Sequence, residues 1–540
     1  MKISHHKVRQ YLLIVILIAA AIMRLYHIDQ PLIEPAASWR QSDTATIADN
    51  FYWGNRNIFL PAISWNGPGA NYVGYEFQTV SYLAALLYRI LGQHDWVNRG
   101  IAVAFGLWGI FALYQLIRLV WDEKHALAGA GIMALLPGSI WVDRLFLPDP
   151  AMVSLVVTSF WLLVVYLQTE KLHYLVLASL VGILGFLTKI SGLIVGIPII
   201  YVIFINLKHK HQFRSKKAFF ICIASIFTLL PVIAYYLWAK HISLTYPPYH
   251  IGAAGNWLWD DGLYQWLSKK YYFPDMFHRH IKRLWTWTAI LLTILGLFLN
   301  PYFLIIYYKN YPKCREDYDK PTDGYCEFSV PFLFHWWLLA GIIFYCLAAK
   351  ELVYNIWNFH IITPAIAALT GHSIVVFTSF LSRFMRRYAA IATSLLLVLI
   401  FIMLIGQKNI NSLYQPIGKE SYQLGLALKQ ITVQSDYVIT IAHEFGNPVA
   451  IYYSQRRGWV FPPANTWSKL DWGDGIKDDT EAIRLLEELR TQGADWLGIV
   501  NDQKNKIWKD NPKLVEYIEQ RFELYQESPD WIIYRIPGQK

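Results

Sequence analysis

From Tyr11 to about Gly406 the chain repeats one pattern, apolar runs of span length separated by short polar loops. A run of roughly 17 to 25 apolar residues crosses a bilayer as a helix, because a helix satisfies its own backbone hydrogen bonds in hydrocarbon. The pattern predicts about eleven spans, near residues 11–28, 99–121, 125–141, 147–168, 174–188, 190–206, 218–239, 284–308, 331–349, 356–381 and 388–406. Lys7 and Arg9 before the first run and Ala19, Ala20 and Ala21 late in it are also the layout of a cleaved leader, but its continuation to Leu25 favours an uncleaved span. One further apolar stretch, Val80 to Gly92, is short and interrupted by Arg89, and reads as an amphipathic helix lying on the outer surface.

Beyond Gln407 the period changes. Strand-like segments at 436–442, 458–461, 494–500, 522–526 and 531–536 alternate with helical ones from Ser421, near Asn447 to Ser454, and over 479–491, where Leu485, Leu486 and Leu489 share a face. The predicted organisation is a polytopic α-helical membrane domain over 1–406, with long external loops at 29–98 and 240–283, followed by a water-soluble α/β domain over 407–540.

Composition agrees: 55% of residues are hydrophobic, 16% aromatic and only 16% charged, which excludes an ordinary soluble surface. The net charge of +10 does not imply nucleic acid, since Lys and Arg sit mainly in the short loops between apolar runs. With 80–92 outside, the groups Arg118 and Lys124, Lys208 to Lys217, Lys309 to Lys320 and Arg383 to Arg387 all fall inside with Lys2, Lys7 and Arg9. The N-terminus is then cytoplasmic and the C-terminal domain external. Among four cysteines, Cys222 and Cys346 lie in apolar runs; Cys314 and Cys326 share a polar loop, lack zinc spacing, and would pair only in an oxidising compartment.

Candidate chemistry concentrates on the predicted external side. In "RQSDTATIADNFYW" a Ser42 or Asp43 cap is expected to open a helix with Ile47 and Phe51 on one face, and in "GPGANYVGYEFQTV" a Gly-rich turn delivers Glu76 to the start of a second helix. The plainer reading makes Asp43 an N-cap and Glu76 a first-turn acid favoured by the helix dipole. "WVDRLFLPDPAMV" holds Asp143, Arg144 and Asp149 between two spans, and "GFLTKISGL" holds Lys189 in a tight turn. Ionisable groups at that depth are costly and often functional, although a lysine also snorkels to the interface. The loop end "KKYYFPDMFHRHIKRLWTW" collects Lys269, Lys270, Arg279, His280, Lys282 and Arg283, a basic patch that defies the charge rule. It suits an anionic lipid phosphate, or plain headgroup anchoring with Trp285 and Trp287 as the aromatic belt.

Four motifs in order, "WRQSDTATIADNF", "GYEFQTVSYLAALLYRILG", "DRLFLPDPAM" and "GFLTKISGL", resemble the bacterial members of the protein mannosyltransferase-like family of GT-C glycosyltransferases, which includes the lipid A aminoarabinose transferase. The likeness is good over roughly the first two hundred residues. Two departures stand out: "EFQT" lacks the Pro often found after the Glu, and "VYNIWNFHIITP" places Asn355, Trp357 and Asn358 where relatives often carry a His and paired Tyr, near His360 and Pro364. The resemblance implies a GT-C fold in a bacterial cytoplasmic (inner) membrane with an extracytoplasmic active site. It also implies a sugar donor on a polyprenyl phosphate, and a lipid, glycan or protein acceptor. Asp43 then matches the catalytic acid, Glu76 the later acid of the loop, and Asp149 and Lys189 the donor and acceptor cavity.

Chemistry assigns the roles. A lipid phosphate is already a competent leaving group, so it needs positive charge to receive it, from Arg40, Arg144, Lys189 or the Lys269 to Arg283 patch. The acceptor hydroxyl needs a base, expected to be Asp43 with Glu76 assisting, and direct displacement predicts inversion at the anomeric carbon. No cofactor is required; a divalent metal between carboxylates and phosphate is compatible with these residues, but no spacing demands one. The rival class is a transporter or flippase of lipid-linked sugars, against which stand the absence of an evident repeat and the loop position of the acids. A receptor with a ligand-binding tail would leave Asp43, Glu76, Asp149 and Lys189 unexplained.

Overall fold

The computed structural model describes residues 5–209, 212–249, 284–310, 330–348, 355–386, 414–466 and 475–538, with a few single positions between them. The chain divides into two compact units that do not follow chain order. One comprises Met1–Ile28, Arg99–Tyr235 and Gly255–Tyr414; the other comprises Asp29–Asn98, Tyr236–Ala254 and Gln415–Lys540.

The first unit is helical. Its elements are α1 (His5–Leu25), then α4 to α10 (Asp95–Val120, Glu123–Leu135, Pro137–Val142, Pro148–Thr169, Leu172–Thr188, Gly196–His209, Lys216–Thr245), and α11 to α13 (Thr286–Asn310, Leu333–Leu347, Thr363–Leu381). Helices α2 (Ser38–Trp53) and α3 (Thr79–Leu91) belong to the second unit. Among the described residues five helical segments are long and apolar enough to cross a membrane, with shorter apolar helices beside them. The chain is a multi-pass membrane protein, and its outward surfaces fit that solvent: Ile200, Leu230, Leu237, Leu291 and Phe298 are exposed. Several predicted spans are broken. The 125–141 run bends at Leu136 before Pro137, and the runs starting at 190 and 356 open as 3-10 turns, Ile190–Val195 and Ile356–Ile362. The predicted span 388–406 lies outside the described residues, apart from one helical position, as do Cys314 and Cys326.

Close helix crossings depend on small residues, since lipid gives no hydrophobic drive between helices. A Cβ on Gly371 of α13 would meet the Gly129 amide nitrogen of α5 at 2.6 Å, so the two backbones touch only because both positions lack side chains. Trp285, expected at the interface, is instead buried, and its Nε1–H donates to Thr363 Oγ1 at 3.3 Å; Trp287 is exposed.

The second unit holds α2 (Ser38–Trp53), α3 (Thr79–Leu91) and the C-terminal α/β fold. Strands β1 (Tyr437–Ile441), β2 (Arg457–Val460), β3 (Trp496–Val500), β4 (Glu523–Glu527) and β5 (Trp531–Arg535) form one sheet ordered β2-β1-β3-β5-β4. The β2-β1-β3 part is parallel; β5 is antiparallel to β3 and to β4. Helices α14 (Lys419–Ile431), α15 (Val449–Ser454) and α16 (Asp479–Thr491) agree with the sequence pattern. Helices α17 (Asn501–Asp510) and α18 (Pro512–Arg521) were not expected, because few apolar residues mark them. One sheet face packs Ile439, Leu497 and Ile532 against Leu486 and Ile518; the other packs Val438, Val460 and Ile533 against Leu424 and Leu428. Ile47, Phe51, Trp65 and Tyr75 from the 29–98 loop join that second core, so loop and sheet fold as one body.

Candidate active site

Helix α2 begins at Ser38, one turn before the expected start, and Ala37 at its N-cap gives no side-chain cap. Asp43 therefore sits in the second turn and is not a cap, which corrects that expectation. The small residues of "PAAS" let the helix open early, and the polar "QSD" that resembled a cap is buried inside it. Asp43 is 2% exposed. Trp65 Nε1–H donates to its Oδ1 at 2.7 Å and Tyr75 Oη–H to its Oδ2 at 3.0 Å. Burial pushes the carboxyl up to about 6, against the pull of Arg40 and of these two hydrogen bonds. Burial, then the Asp43 charge, likewise holds the Tyr75 hydroxyl well above its usual range, so it remains a donor.

Glu76 is likewise not at a helix start: α3 begins at Thr79, and the chain from Gly74 to Gln78 is irregular. Its carboxylate is ion-paired with Arg40, whose guanidinium also lies 4.3 Å over the Tyr75 ring. Burial opposes the Arg40 charge, but Glu76, Tyr75 and Asp43 outweigh it and keep Arg40 charged. Arg40, Asp43, Tyr75 and Glu76 thus form one cluster in the second unit, with Trp65 as its wall.

The helical unit holds the other predicted residues. Helices α7 and α8 are joined by a two-residue link, so they run antiparallel and bring the first turn of α7 to the end of α8. Asp149 lies in that first turn and Lys189 follows α8. Lys189 Nζ donates to both Asp149 carboxylate oxygens, at 2.8 and 2.7 Å, and is paired within the protein instead of snorkelling free. Arg144 is buried, donates to the His27 carbonyl at 2.9 Å and lies 4.1 Å over the Tyr414 ring. Lys269, Lys270, Arg279, Lys282 and Arg283 lie outside the described residues.

Sequence reasoning missed a buried charged network in this unit. Arg24 Nε and Nη2 donate to Asp143 Oδ2 at 3.0 and 2.8 Å, Ser139 Oγ at 3.1 Å, and His360 Nε2 lies 2.8 Å from Asp143 Oδ1. A side chain at Gly106 would run into Asp143. Asp143 and His360 each stood out in the sequence, but Arg24, a lone charge near the end of the first apolar run, did not, and no local pattern linked the three.

The comparisons with known proteins bear on this arrangement. Residues 79–236 match the family model for dolichyl-phosphate-mannose-protein mannosyltransferases, a region that contains Asp149 and Lys189. A Bacillus subtilis protein named "Putative mannosyltransferase YkcB" is 24% identical over 225 residues, 41% of this chain and 30% of that protein's length. Among solved structures, ArnT from Cupriavidus metallidurans bound to undecaprenyl phosphate superposes with a TM-score of 0.59 at 11% identity, over 97% of both chains. The chain has the GT-C glycosyltransferase fold of the ArnT type. The GT-C oligosaccharyltransferase AglB from Archaeoglobus fulgidus, in complex with an inhibitory peptide and a dolichol-phosphate, aligns with a TM-score of 0.57 at 13% identity, covering 98% of this chain and 76% of that one. The expected helical GT-C architecture with a C-terminal α/β fold is thus borne out, and the transporter reading gains no support from these likenesses.

Proposed function

We propose that the protein is a glycosyltransferase that moves a sugar from a polyprenyl-phosphate donor to an acceptor on the outer side of a bacterial inner membrane. The observation that carries this reading is Asp43, a buried carboxyl pushed up to about 6, clamped by Trp65 and Tyr75 beside the Arg40–Glu76 pair. A base with that pKa is ionised at neutral pH yet keeps more affinity for a proton than a surface aspartate. Each carboxylate oxygen has two lone pairs, so the bonds to Trp65 and Tyr75 leave room for an acceptor hydroxyl.

In the proposed step the acceptor oxygen attacks the anomeric carbon as its proton passes to Asp43. The bond from that carbon to the phosphate oxygen breaks, the electron pair leaves with the polyprenyl phosphate, and the configuration inverts. Glu76 fixes Arg40 beside the base. Arg40 is the proposed cation beside the base. In the helical unit Lys189, positioned by Asp149 through its two hydrogen bonds, is a separate candidate for the lipid phosphate. Arg144 and the 269–283 basic residues are further candidates for the lipid phosphate. The supporting likenesses are the dolichyl-phosphate-mannose family match and ArnT with its undecaprenyl phosphate.

Among the described residues no three His, Cys, Asp or Glu side chains converge, and no step is routed through a metal.

The test is transfer of a radiolabelled sugar from purified polyprenyl-phosphate donor in membranes carrying wild type or Asp43→Asn. The expected loss is about hundredfold or more, with donor accumulating. Near-normal transfer by the variant would remove Asp43 from the mechanism, and lipid movement without product in the wild type would remove the enzyme reading.

A further inference from the structure

A second feature of α2 is unused by this mechanism. Thr46, Asp49, Asn50 and Trp53 recur at three- and four-residue spacing, so they share one side of the helix. Together with Tyr452 and Gln455 they line a cavity of about 460 Å³ within the second unit. That is within the roughly 300–1,000 Å³ typical of small-ligand sites. A neighbouring cavity of about 220 Å³ shares Gln93, Tyr452 and Gln455 and adds Tyr422 and Tyr453, which extends it into a groove. Asn50 lies two turns beyond Asp43, about 10 Å along the axis, so the groove and the proposed base share one helix.

Three observations narrow the occupant. First, Thr46 is 3% exposed, and its Oγ1 and Asp49 Oδ1 are buried without a hydrogen-bond partner among the described residues. Unmet buried polar atoms of this kind are costly and mark a place for ligand hydroxyls. Second, Trp53 is 73% exposed while its Nε1–H is tied to Gln93 Oε1 at 3.1 Å. The Tyr52 ring packs T-shaped against it at 4.5 Å between centroids, and a largely exposed ring held this way is a platform for the polarised C–H face of a pyranose. Third, the arginines are already committed. Arg456 donates to Thr432 Oγ1, Gln434 Oε1 and the Thr432 carbonyl at 2.9, 3.1 and 2.8 Å, and Arg457 donates to the Gly69 carbonyl. A phosphate would find no open guanidinium fork, with Lys429 of the smaller cavity the cation left to it, and an acyl chain would leave the polar atoms unmet.

The geometry points to a binding site for a neutral oligosaccharide in this groove, with Trp53 as the stacking platform and Thr46 and Asp49 as hydroxyl partners. This rests on the glycosyl-transfer reading and deepens it: the acceptor is a glycan, and the groove holds its sugar units beyond the one that reacts.

The experiment uses the full-length protein in nanodiscs without donor. Saturation-transfer NMR and titration calorimetry are run with chitotetraose, maltotetraose and a mannotetraose, and with pyrophosphate and a Ser/Thr-rich peptide as competitors. At least one tetrasaccharide is expected to bind; Trp53→Ala and Asp49→Asn each weaken it by about tenfold or more, while Trp53→Phe stays within about threefold. Unchanged melting temperatures show that the variants fold. The inference is overturned if no tetrasaccharide binds at millimolar concentration, if Trp53→Ala binds like wild type, or if pyrophosphate or the peptide competes. Binding without transfer would sink the activity and keep the groove. Transfer to an acceptor whose KM is unmoved by Trp53→Ala would keep the activity and sink the groove.

Discussion

Asp43 couples ionisation to folding with a sign that can be checked. Its folded pKa of about 6 lies above the ordinary 3.8, so the native state holds the proton more tightly than the unfolded chain. The stabilisation is complete below about pH 4 and is lost as pH rises through 6; a shift of about two units corresponds to about 3 kcal/mol. Asn at this position stays neutral and can still accept from Trp65. Asp43→Asn is therefore expected to melt no lower than wild type at pH 7 while losing transfer, which separates a catalytic loss from misfolding. Transfer by wild type should rise with pH through about 6 and level off above 7; a profile flat from pH 5 to 8 would argue against this base. Lys189 behaves differently. Lys189→Met removes the cation that pairs with the buried Asp149 carboxylate and should cost about 3–5 kcal/mol. Adding Asp149→Asn should restore most of the stability but not transfer, as read by detergent melting curves and the radiolabel assay.

At the level of elements, the helical hairpin α7–α8 is what turns two residues forty positions apart into an ion pair. The "PDP" start and the short "EK" link were both visible in the sequence, and the pairing follows from antiparallel geometry. Element boundaries were harder to read. Asp43 was expected to cap α2 because isolated capping rules favour Ser and Asp, yet the core of the second unit buries Ile47 and Phe51 and draws the helix start back to Ser38. The α5–α13 crossing makes a further prediction. Gly371→Val puts a branched side chain into the Gly129 backbone and is expected to lower the melting temperature by several degrees or prevent folding, whereas Gly196→Val, where a Cβ meets nothing within 4 Å, should be tolerated.

For the whole molecule, the compact units cut across chain order. The 29–98 loop shares a core with the sheet: Ile47, Trp65 and Tyr75 pack with Leu424, Val460 and Ile533. A chain ending at residue 414 is therefore expected to lose the folded state of α2 and the Asp43 cluster while its long apolar helices still insert. Rapid proteolysis between residues 54 and 78 together with loss of transfer would check this; protection equal to wild type would contradict it.

Hydropathy alone determined that the chain is a multi-pass helical membrane protein ending in an α/β fold, because bilayer thickness and strand alternation leave short-range signatures. Motif order also pointed to Asp43, Glu76, Asp149 and Lys189. What only the tertiary structure decided are relations between distant residues: Trp65 and Tyr75 on Asp43, Arg40 on Glu76, and the Arg24–Asp143–His360 network spanning 119 and 217 positions. No local pattern encodes such pairs. Their partners are chosen by which helices pack together, and the raised pKa of Asp43 comes from the burial that this packing creates.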